Sequence, residues 1–342
     1  MENNKITQNE KHLLEVKNLR VSFFMNSSEI KAVDNVSYYV NKKEIVAIVG
    51  ESGCGKSVTQ MSTMQLLQSP PGKIMGGEIL FQGDNLLKYR ANSKKMQAMR
   101  GAQISMIFQE PMTSLNPTFT VGNQLVEVIR KHKKVSKKEA WNIGVQSLKA
   151  VDIPDPEQRM KNYPFEMSGG MRQRVLIAIS VACHSKLIIA DEPTTALDVT
   201  TQAQVMDLLE NIVKEMQTSL IVVTHNLGLV SRYANRIYVM YAGRVVESGT
   251  TEDLLKEPKH PYTIGLLKSV PKLNDNKDKE LIQIEGNPPN LADMPATCAF
   301  LPRCPYACDK CKNNDYPQLR EVGSNLHYTA CHIDVNYETQ NR

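Results

Sequence analysis

The stretch "GESGCGKS", Gly50–Ser57, decides the fold of this chain of 342 residues. It fits the pattern G-x-x-x-x-G-K-[ST], in which glycines turn successive backbone amides inward around phosphate oxygens. The apolar run "IVAIV" before it predicts a strand, and "KSVTQMSTMQLL" after Gly55 predicts a helix that ends before "QSPPGK". A strand, a glycine loop and a helix in this order predict a nucleotide site, because the helix points its positive end at the phosphates.

The rest of the chain reads as strands alternating with helices. Short alternating strands are predicted over residues 13–49, a strand in "AQISMIFQE", and helices over about residues 120–161. The further predicted elements are a helix in "RQRVLIAISVACHS", a buried strand in "KLIIADE", a helix in "TQAQVMDLLENIVKEM", a buried strand in "SLIVVTH", and a hairpin in "NRIYVMYAGRVVESG" that turns at Ala242 and Gly243. Continuous apolar strands between helices predict an α/β fold with a parallel sheet covered on both faces.

Composition narrows the class of protein. Apolar residues make up 41% and charged residues 23% of the chain, as in ordinary globular proteins, and no apolar run is long enough to span a membrane. The polar start "MENNKITQNEKHLLEV" predicts no signal peptide, so we expect the chain to stay in the cytoplasm. The basic run "RKHKKVSKK" has no interleaved aromatic residues, which favours a solvated helix face over a nucleic-acid surface. We therefore expect no nucleic-acid partner.

Two carboxylates end the predicted strand "LIIADE". With the phosphate loop in place, Lys56 is expected to meet the β and γ phosphates, and the Ser57 hydroxyl to ligate Mg²⁺. Asp191 can then hold Mg²⁺ through water, and Glu192 can orient or deprotonate the attacking water. Capping of the turn before Pro193 is the alternative interpretation of these carboxylates, and the phosphate loop disfavours it.

The stretch "MSGGMRQR" resembles the signature S-G-G-x-x-Q of the nucleotide-binding subunits of ABC transporters. The resemblance implies a P-loop ABC-type domain with a parallel core sheet, an antiparallel β subdomain and a helical subdomain. It also implies that the signature of one subunit caps the nucleotide that is held by the phosphate loop of a facing subunit. A helix start at Ser168 explains the local residues, but it does not explain their position before the Asp191 strand.

Further landmarks of this family match single residues. Gln109 in "FQEP" resembles the glutamine that senses Mg²⁺ and water, Asp198 in "TTALD" resembles an interface aspartate, and His225 in "VVTHN" resembles the histidine that contacts the γ-phosphate. The resemblance implies catalytic roles for Lys56, Gln109, Glu192 and His225, and Mg²⁺ binding by Ser57, Gln109 and Asp191. The ATP-binding positions that it implies are Phe23, Gly50, Glu51, Ser52, Gly53, Cys54, Gly55, Lys56, Ser57, Val58, Gln109, Ser168, Gly169, Gly170, Gln173, Asp191, Glu192, Asp198 and His225.

Some of these matches leave alternatives open. Phe23 occupies the place of the aromatic residue that stacks on adenine, but an aromatic at the end of a strand is equally expected in a core. Lys43, Thr195 and Asn226 depart from the residues that are common in the family. Asn226 bears on the positioning of the neighbouring His225.

The stretches "GESGCGKSVT", "QEPMTSLNPTFTVGNQL" and "YPFEMSGGMRQRVLIA" resemble the ATP-binding subunits of oligopeptide and dipeptide importers, a group that includes nickel uptake systems. The resemblance implies a second, related ABC ATPase subunit, two membrane permeases and an extracellular substrate-binding protein as partners. It places the chain at the cytoplasmic face of the membrane, with "PMTSLNPTFT" receiving the permeases. Nickel or metal-chelate import and a soluble ABC ATPase are the alternatives. A P-loop kinase does not account for "SGGMRQR".

We divide the chain into a polar N-terminal tail (1–12), an ATPase domain (13–250) with a helical subdomain at about 112–170, and a C-terminal extension (251–342). The extension contains "TCAFLPRCPYACDKC". From the residues alone, Cys308 and Cys311 form a C-x-x-C chelate typical of zinc sites.

The family resemblance selects a different set of four cysteines. A pattern that resembles C-x-F-x-P-R-C-P-x-A-x-x-x-C, followed by C-H, maps onto Cys298, Cys304, Cys311 and Cys331 and leaves Cys308 as an extra thiol. It implies a [4Fe-4S] cluster, because four thiolates suit either this cluster or Zn²⁺. Unliganded cysteines are the third alternative. We expect this site to lie outside the hydrolytic chemistry.

Overall fold

The structure is a computed structural model that describes residues 12–25, 28–195, 197–270, 284–323 and 326–335. The strands are β1 (Leu14–Met25), β2 (Ser28–Val40), β3 (Ile45–Val49), β4 (Gly72–Phe81), β5 (Asp84–Asn85), β6 (Ile104–Ile107), β7 (Leu187–Asp191), β8 (Ser219–Thr224), β9 (Arg236–Tyr241), β10 (Arg244–Thr250), β11 (Arg320–Glu321) and β12 (Tyr328–Thr329). The helices are α1 (Lys56–Thr63), α2 (Lys94–Met99), α3 (Pro111–Ser114), α4 (Val121–His132), α5 (Lys137–Ala150), α6 (Pro156–Arg159), α7 (Gly169–Val181), α8 (Val199–Met216), α9 (Leu227–Val230), α10 (Thr251–Lys256), α11 (Pro261–Lys268) and α12 (Asp309–Asn313).

The larger sheet is mixed and has a parallel core. Its strand order is β11-β12-β10-β9-β3-β8-β7-β6, and β9, β3, β8, β7 and β6 run parallel to one another. Every residue of β3, β7 and β8 is buried, which is the state that their continuous apolar sequences predict. The predicted hairpin is β9 and β10, and it turns at Ala242 and Gly243, which both have positive φ. Parallel strands bring their carboxyl ends to one edge of a sheet, and the phosphate loop follows β3 at that edge.

The smaller sheet is antiparallel, in the order β2-β1-β4-β5. Its apolar residues pack with one face of the larger sheet in a single core that includes Leu19, Val36, Ile79 and Ile48. Together the two sheets and their helices form the α/β architecture that the phosphate loop predicts.

The region between β6 and β7 is helical, as its spacing predicts. Apolar side chains at Val121, Leu125 and Ile129 give α4 a buried face, and α4 packs on α5. Serine and threonine side chains cap the starts of α4 and α5, because the hydroxyls of Thr120 and Ser136 accept hydrogen bonds from backbone amides. The motif "DIPDP" separates α5 from the short α6.

The C-terminal residues are joined to the larger sheet, whereas the sequence suggests an appended segment. β12 pairs with β10, with Thr329 opposite Glu247, and β11 adds the outermost strand. His327 Nε2 lies 2.8 Å from Glu247 Oε1, and both side chains are almost completely buried. The difference arises because two-residue strands carry too little sequence pattern to predict a pairing with a partner about 80 positions away.

Candidate functional site

The phosphate loop has the conformation that its glycines predict. Gly53 and Gly55 have φ values of 79° and 97°, which side chains rarely adopt. At Gly55 a Cβ atom would also lie 2.2 Å from the carbonyl oxygen of Ala32, so the chain needs glycine there for space as well. Ser52 and Gly53 are exposed, whereas Cys54 is buried and Val58 is half-buried on α1. The loop therefore presents its backbone at the surface and anchors itself at Cys54 and Gly55.

Lys56 and Ser57 begin α1 directly behind the loop. The buried Lys56 Nζ donates hydrogen bonds to the carbonyl oxygens of Gly50 and Glu51, at 2.8 and 2.9 Å. Ser57 Oγ donates to Asp191 Oδ1 at 2.8 Å. Burial raises the pKa of Asp191, and the hydrogen bond from Ser57 opposes this shift. The Ser57 hydroxyl lies at the start of α1, and the Asp191 carboxylate lies at the end of β7. Both are oxygen ligands of the kind that Mg²⁺ prefers.

The other predicted catalytic residues lie around one carboxylate oxygen, Oε2 of Glu192. Gln109 Nε2 donates to Glu192 Oε2 at 3.1 Å, and His225 Nδ1 lies 3.6 Å from the same oxygen. Thr195 Oγ1 also donates to this oxygen, at 2.8 Å. Gln109, Glu192 and His225 follow β6, β7 and β8, so three parallel strands deliver them to one point. The sequence indicates Thr195 only as a departure from the family, and its contact with Glu192 depends on the turn after β7.

The signature residues form a separate surface. Ser168 caps α7 by accepting a hydrogen bond from the Met171 amide, and Ser168 and Gly169 are exposed. A Cβ atom on Gly169 would meet nothing within 4 Å, and one on Gly170 would meet only Thr201. Gln173 is buried, in contrast to Ser168 and Gly169. In the part of the chain that the structure describes, no hydrogen bond or ion pair joins Ser168 or Gly169 to the phosphate loop.

Asp198 and Phe23 occupy different environments. Asp198 caps α8, and its hydrogen bonds from Thr201 lower the pKa of the exposed Asp198 carboxyl. Because Thr201 also neighbours Gly170, Asp198 lies beside the signature. Phe23 is half-buried on β1, opposite Ile30 and Gly72 in the antiparallel sheet. Its stacking role stays a prediction.

Four cysteines line one narrow apolar cavity in the C-terminal region. They are Cys298, Cys304, Cys311 and Cys331. Cys308 does not line this cavity, although its sulfur lies 3.7 Å from that of Cys311. All seven cysteines of the chain are free thiols. Among the described residues, no group of three or more His, Cys, Asp or Glu side chains is arranged to hold a single metal ion.

The environment of the cavity favours neutral thiols. Burial raises the pKa of Cys304 and of Cys331 to about 11, and it also raises the pKa of Cys298 and of Cys311. A neighbouring metal centre would have to reverse this shift, because only thiolates bind metals well.

The sequence gives no indication of one contact of the phosphate loop. The guanidinium of Arg303 forms a two-pronged ion pair with Glu51, at 2.8 and 2.9 Å. The Tyr262 hydroxyl accepts a hydrogen bond from the Glu51 amide at 2.8 Å. The cysteine region thus contacts the nucleotide loop through Arg303, and its place outside the hydrolytic chemistry stays a prediction. The two residues of the ion pair are 252 positions apart, too far for any local pattern to connect them.

Comparisons with known proteins agree with this geometry. The family model "ABC transporter" matches residues 33–195, and the model "Oligopeptide/dipeptide transporter, C-terminal region" matches residues 246–311. A solved dimeric bacterial ABC transporter cassette superposes with a TM-score of 0.62 at 27% identity, over 70% of this chain and 98% of that one. A second solved dimer, of a cassette in a post-hydrolysis state with ADP and phosphate, has a TM-score of 0.62 at 26% identity, with the same coverage. The fold and the site therefore define an ATP-hydrolysing cassette of the ABC class.

Curated relatives narrow the class to a family. The oligopeptide transport ATP-binding protein OppD of Bacillus subtilis is 49% identical, over 92% of this chain and 87% of that protein. The dipeptide transport ATP-binding protein DppD of the same organism is 48% identical, over 93% and 94%. OppD of Salmonella typhimurium is 49% identical, over 88% of each chain. This chain belongs to the family of oligopeptide and dipeptide transport ATP-binding proteins, as its motifs predict.

Proposed function

We propose that this chain hydrolyses ATP to power the import of oligopeptides or dipeptides through a membrane ABC transporter. The observation that carries the proposal is the convergence of Gln109, Thr195 and His225 on Glu192 Oε2, next to the contact between Ser57 and Asp191. The names of the relatives supply the cargo class. No described helix is long and apolar enough to cross a membrane. Membrane partners are therefore part of the proposal.

The residues divide the work of hydrolysis. Lys56 and the loop amides bind the β and γ phosphates, and Ser57 and Asp191 hold Mg²⁺, which offsets charge on the phosphates when it is bound. Glu192 accepts a proton from the attacking water, and the hydrogen bonds from Gln109 and Thr195 fix the direction of its carboxylate. His225, which follows β8 and lies 3.6 Å from Glu192 Oε2, contacts the γ-phosphate in this proposal.

The proposal includes a second ABC ATPase subunit that is related to this one. Ser168, Gly169 and Gly170 lie at an open helix start, which attracts phosphate, yet they have no polar contact with the described phosphate loop of their own chain. A facing subunit would give the signature a phosphate to bind, because the signature of each subunit then contacts the nucleotide on the phosphate loop of the other. A Gly169→Arg substitution tests this role. It should abolish hydrolysis in the assembled transporter while ATP binding by the isolated chain persists, because the position opens to free space.

The same proposal places two permeases against an exposed apolar surface beside the glutamine loop. We define this surface by Met112, Phe119 and Phe165, whose exposed fractions are 63, 51 and 66%. Large exposed side chains of this kind mark an interaction site. Cysteines placed at Ser114 and at Thr118 should crosslink to a permease loop in the assembled complex. Absence of such crosslinks, with a cysteine at the exposed Lys138 as the background control, would contradict the placement.

We also propose that Cys298, Cys304, Cys311 and Cys331 hold a [4Fe-4S] cluster. Its support is the convergence of four thiols on one enclosed cavity that excludes Cys308. Four thiolates suit either this cluster or Zn²⁺, and iron and zinc analysis of the purified chain distinguishes the two. When bound, such a cluster supplies a link between four chain positions and a redox centre.

The decisive experiment measures ATP hydrolysis and peptide uptake together. In the assembled transporter, Glu192→Gln should bind ATP and lower turnover by about a hundredfold or more, because the water loses its base. Uptake of labelled peptides should fall in parallel. The exposed Glu252→Gln variant serves as the control and should match the wild type. Hydrolysis at the wild-type rate by Glu192→Gln would sink the catalytic assignment, and uptake of nickel with no uptake of peptide would sink the cargo.

A further inference from the structure

The phosphate loop is held from outside by a residue of the C-terminal segment. We call residues 284–323 and 326–335 the tail. Arg303 of the tail reaches Glu51, the second residue of the loop, with both prongs of its guanidinium. The Arg303 side chain is only 5% exposed and that of Glu51 is 25% exposed, so this is a largely buried ion pair. The pair lies immediately beside the atoms that are expected to bind phosphate.

The guanidinium is oriented before it meets Glu51. Its Nε donates to the Glu285 carbonyl oxygen at 2.9 Å, and Nη2 also donates to the Ile284 carbonyl oxygen at 3.3 Å. Nη1 makes a further contact of 3.3 Å with the Tyr241 hydroxyl at the end of β9. The carboxylate of Glu51 raises the pKa of Arg303. Backbone carbonyls of the tail and the Tyr241 hydroxyl thus orient the Arg303 guanidinium toward the loop. Its two parallel hydrogen bonds to the Glu51 carboxylate have the geometry of strong arginine–carboxylate pairs.

Glu51 is in turn a structural neighbour of the phosphate-binding lysine. Its carbonyl oxygen accepts a hydrogen bond from Lys56 Nζ, and its amide donates to the Tyr262 hydroxyl. Every polar group of Glu51 is therefore engaged, two of them by residues outside the loop. A loop that is already ordered loses less conformational entropy when a ligand binds. Holding Glu51 in place therefore favours ATP binding.

The ion pair is not needed merely to attach the tail. The tail has other anchors, namely the pairing of β12 with β10, the buried contact of His327 with Glu247, and Phe300 packed against Tyr241 and Tyr262. Burying an ion pair contributes little net stability, because both charges lose water. A cavity of about 130 Å³ also separates Ser52, Gly53 and Cys54 from Pro288, Pro289 and Leu291 of the tail. The tail therefore acts on the loop through Glu51 and does not cover it with broad packing.

We propose that Arg303 is a positioning residue for ATP binding, which holds the phosphate loop in its phosphate-accepting shape by clamping Glu51. The inference rests on the proposed ATP site. It assigns to the tail an effect on nucleotide affinity that operates within one subunit. Among the described residues, the hydrogen bonds of Arg303 to the phosphate loop all go to the Glu51 carboxylate, so its effect passes through Glu51.

The test is a double-mutant cycle on the full-length chain with Mg²⁺ and the non-hydrolysable nucleotide AMP-PNP. Arg303→Met and Glu51→Gln should each weaken binding by about tenfold, the scale of a typical coupling between sites. The double variant should bind no more weakly than the weaker single variant, because both substitutions break one clamp. Glu51→Gln breaks the same ion pair from the phosphate loop and leaves every residue of the tail unchanged. It therefore tests the clamp even if Arg303→Met detaches the tail.

Arg320→Met is the matched control. Arg320 lies in the same tail, donates to the Cys331 carbonyl oxygen and pairs with Asp334, and within the described residues it makes no hydrogen bond or ion pair with the loop. Its affinity for AMP-PNP should equal that of the wild type. In the assembled transporter, Arg303→Met should raise the KM for ATP and leave kcat unchanged, a split that general loosening of the tail would not produce.

The outcomes separate this inference from the proposed ATP site. Wild-type affinity in Arg303→Met, or effects of the two substitutions that multiply in the double variant, would overturn the clamp. Equal loss of affinity in Arg320→Met would overturn it as well, because the effect would then belong to any disturbance of the tail. If Lys56→Ala bound AMP-PNP as tightly as the wild type, the ATP site itself would be wrong.

Discussion

The phosphate loop and the cysteine cavity are built in opposite ways. The loop consists of eight consecutive residues, and its shape follows from glycine conformations and the start of α1. The cavity collects Cys298, Cys304, Cys311 and Cys331 from a span of more than thirty residues, and its walls include Phe300 and Pro317. The loop presents Ser52 and Gly53 at the surface, whereas the cavity surrounds its thiols with apolar groups.

This difference indicates how each site depends on the rest of the molecule. The conformation of the loop depends mainly on its own glycines and on the strand and helix that flank it. A cavity defined by dispersed residues forms only if the tail folds against the sheet. The ion pair of Arg303 and Glu51 connects the tail, which contains the cavity, to the phosphate loop. Separate substitutions should therefore disturb one site and spare the other.

The largest expected effect is at the loop. Lys56→Ala removes a buried ammonium that we propose binds the β and γ phosphates, so ATP affinity should fall on the order of a hundredfold. The measurement is calorimetric titration of the full-length chain with MgATP, with the exposed Lys138→Ala variant as control. Metal content of the cysteine site should not change. A parallel loss of iron from Lys56→Ala would break the contrast between the two sites.

The next effect concerns the cavity. If the proposed cluster is present, Cys304→Ser should lose most of the iron and the broad absorption near roughly 400 nm, because a hydroxyl replaces one of the four proposed thiolate ligands. Cys308→Ser is the matched control and should keep both, since Cys308 lies outside the cavity lining. Iron analysis and visible spectra of anaerobically purified chain provide the measurement. Stoichiometric zinc without iron in the wild type would refute the cluster, and equal losses in both variants would refute the choice of four cysteines.

The smallest effect concerns the attachment of the tail. Glu247 is fully buried, and its two oxygens accept hydrogen bonds from the amides of Lys259 and His260 and contact His327 Nε2. Glu247→Gln should lower the free energy of unfolding by about 2 kcal/mol, because an amide group would then face a buried N–H donor. Thermal melting measures this loss.

Glu252→Gln is the control for this change. It alters an exposed pair with Lys256 one helical turn away and should shift stability by less than about 0.5 kcal/mol. Equal melting temperatures for both variants would show that Glu247 does not hold the tail. A melting shift with unchanged AMP-PNP affinity would sharpen the contrast, because tail stability and the Arg303 clamp would then be separate properties.

Much of the hydrolytic site could be predicted because its residues stand at strand ends. Asp191 is the last residue of a fully buried strand, and a run of apolar letters that ends in a carboxylate is visible without any structure. The family resemblance predicts Gln109 and His225, and in the structure they follow β6 and β8, the two strands that flank β7. The role of Thr195 could not be predicted, since its hydroxyl reaches Glu192 only through the turn that follows β7.

The sequence by itself determined the phosphate loop, the parallel core and the family, because each depends on the conformation and order of neighbouring residues. Only the tertiary structure decided that the cysteine region touches the nucleotide loop. Arg303 and Glu51 are 252 positions apart, and no local preference relates positions so distant. The tail reaches the loop because it packs against the central sheet, with Phe300 on Tyr241 and with β12 beside β10.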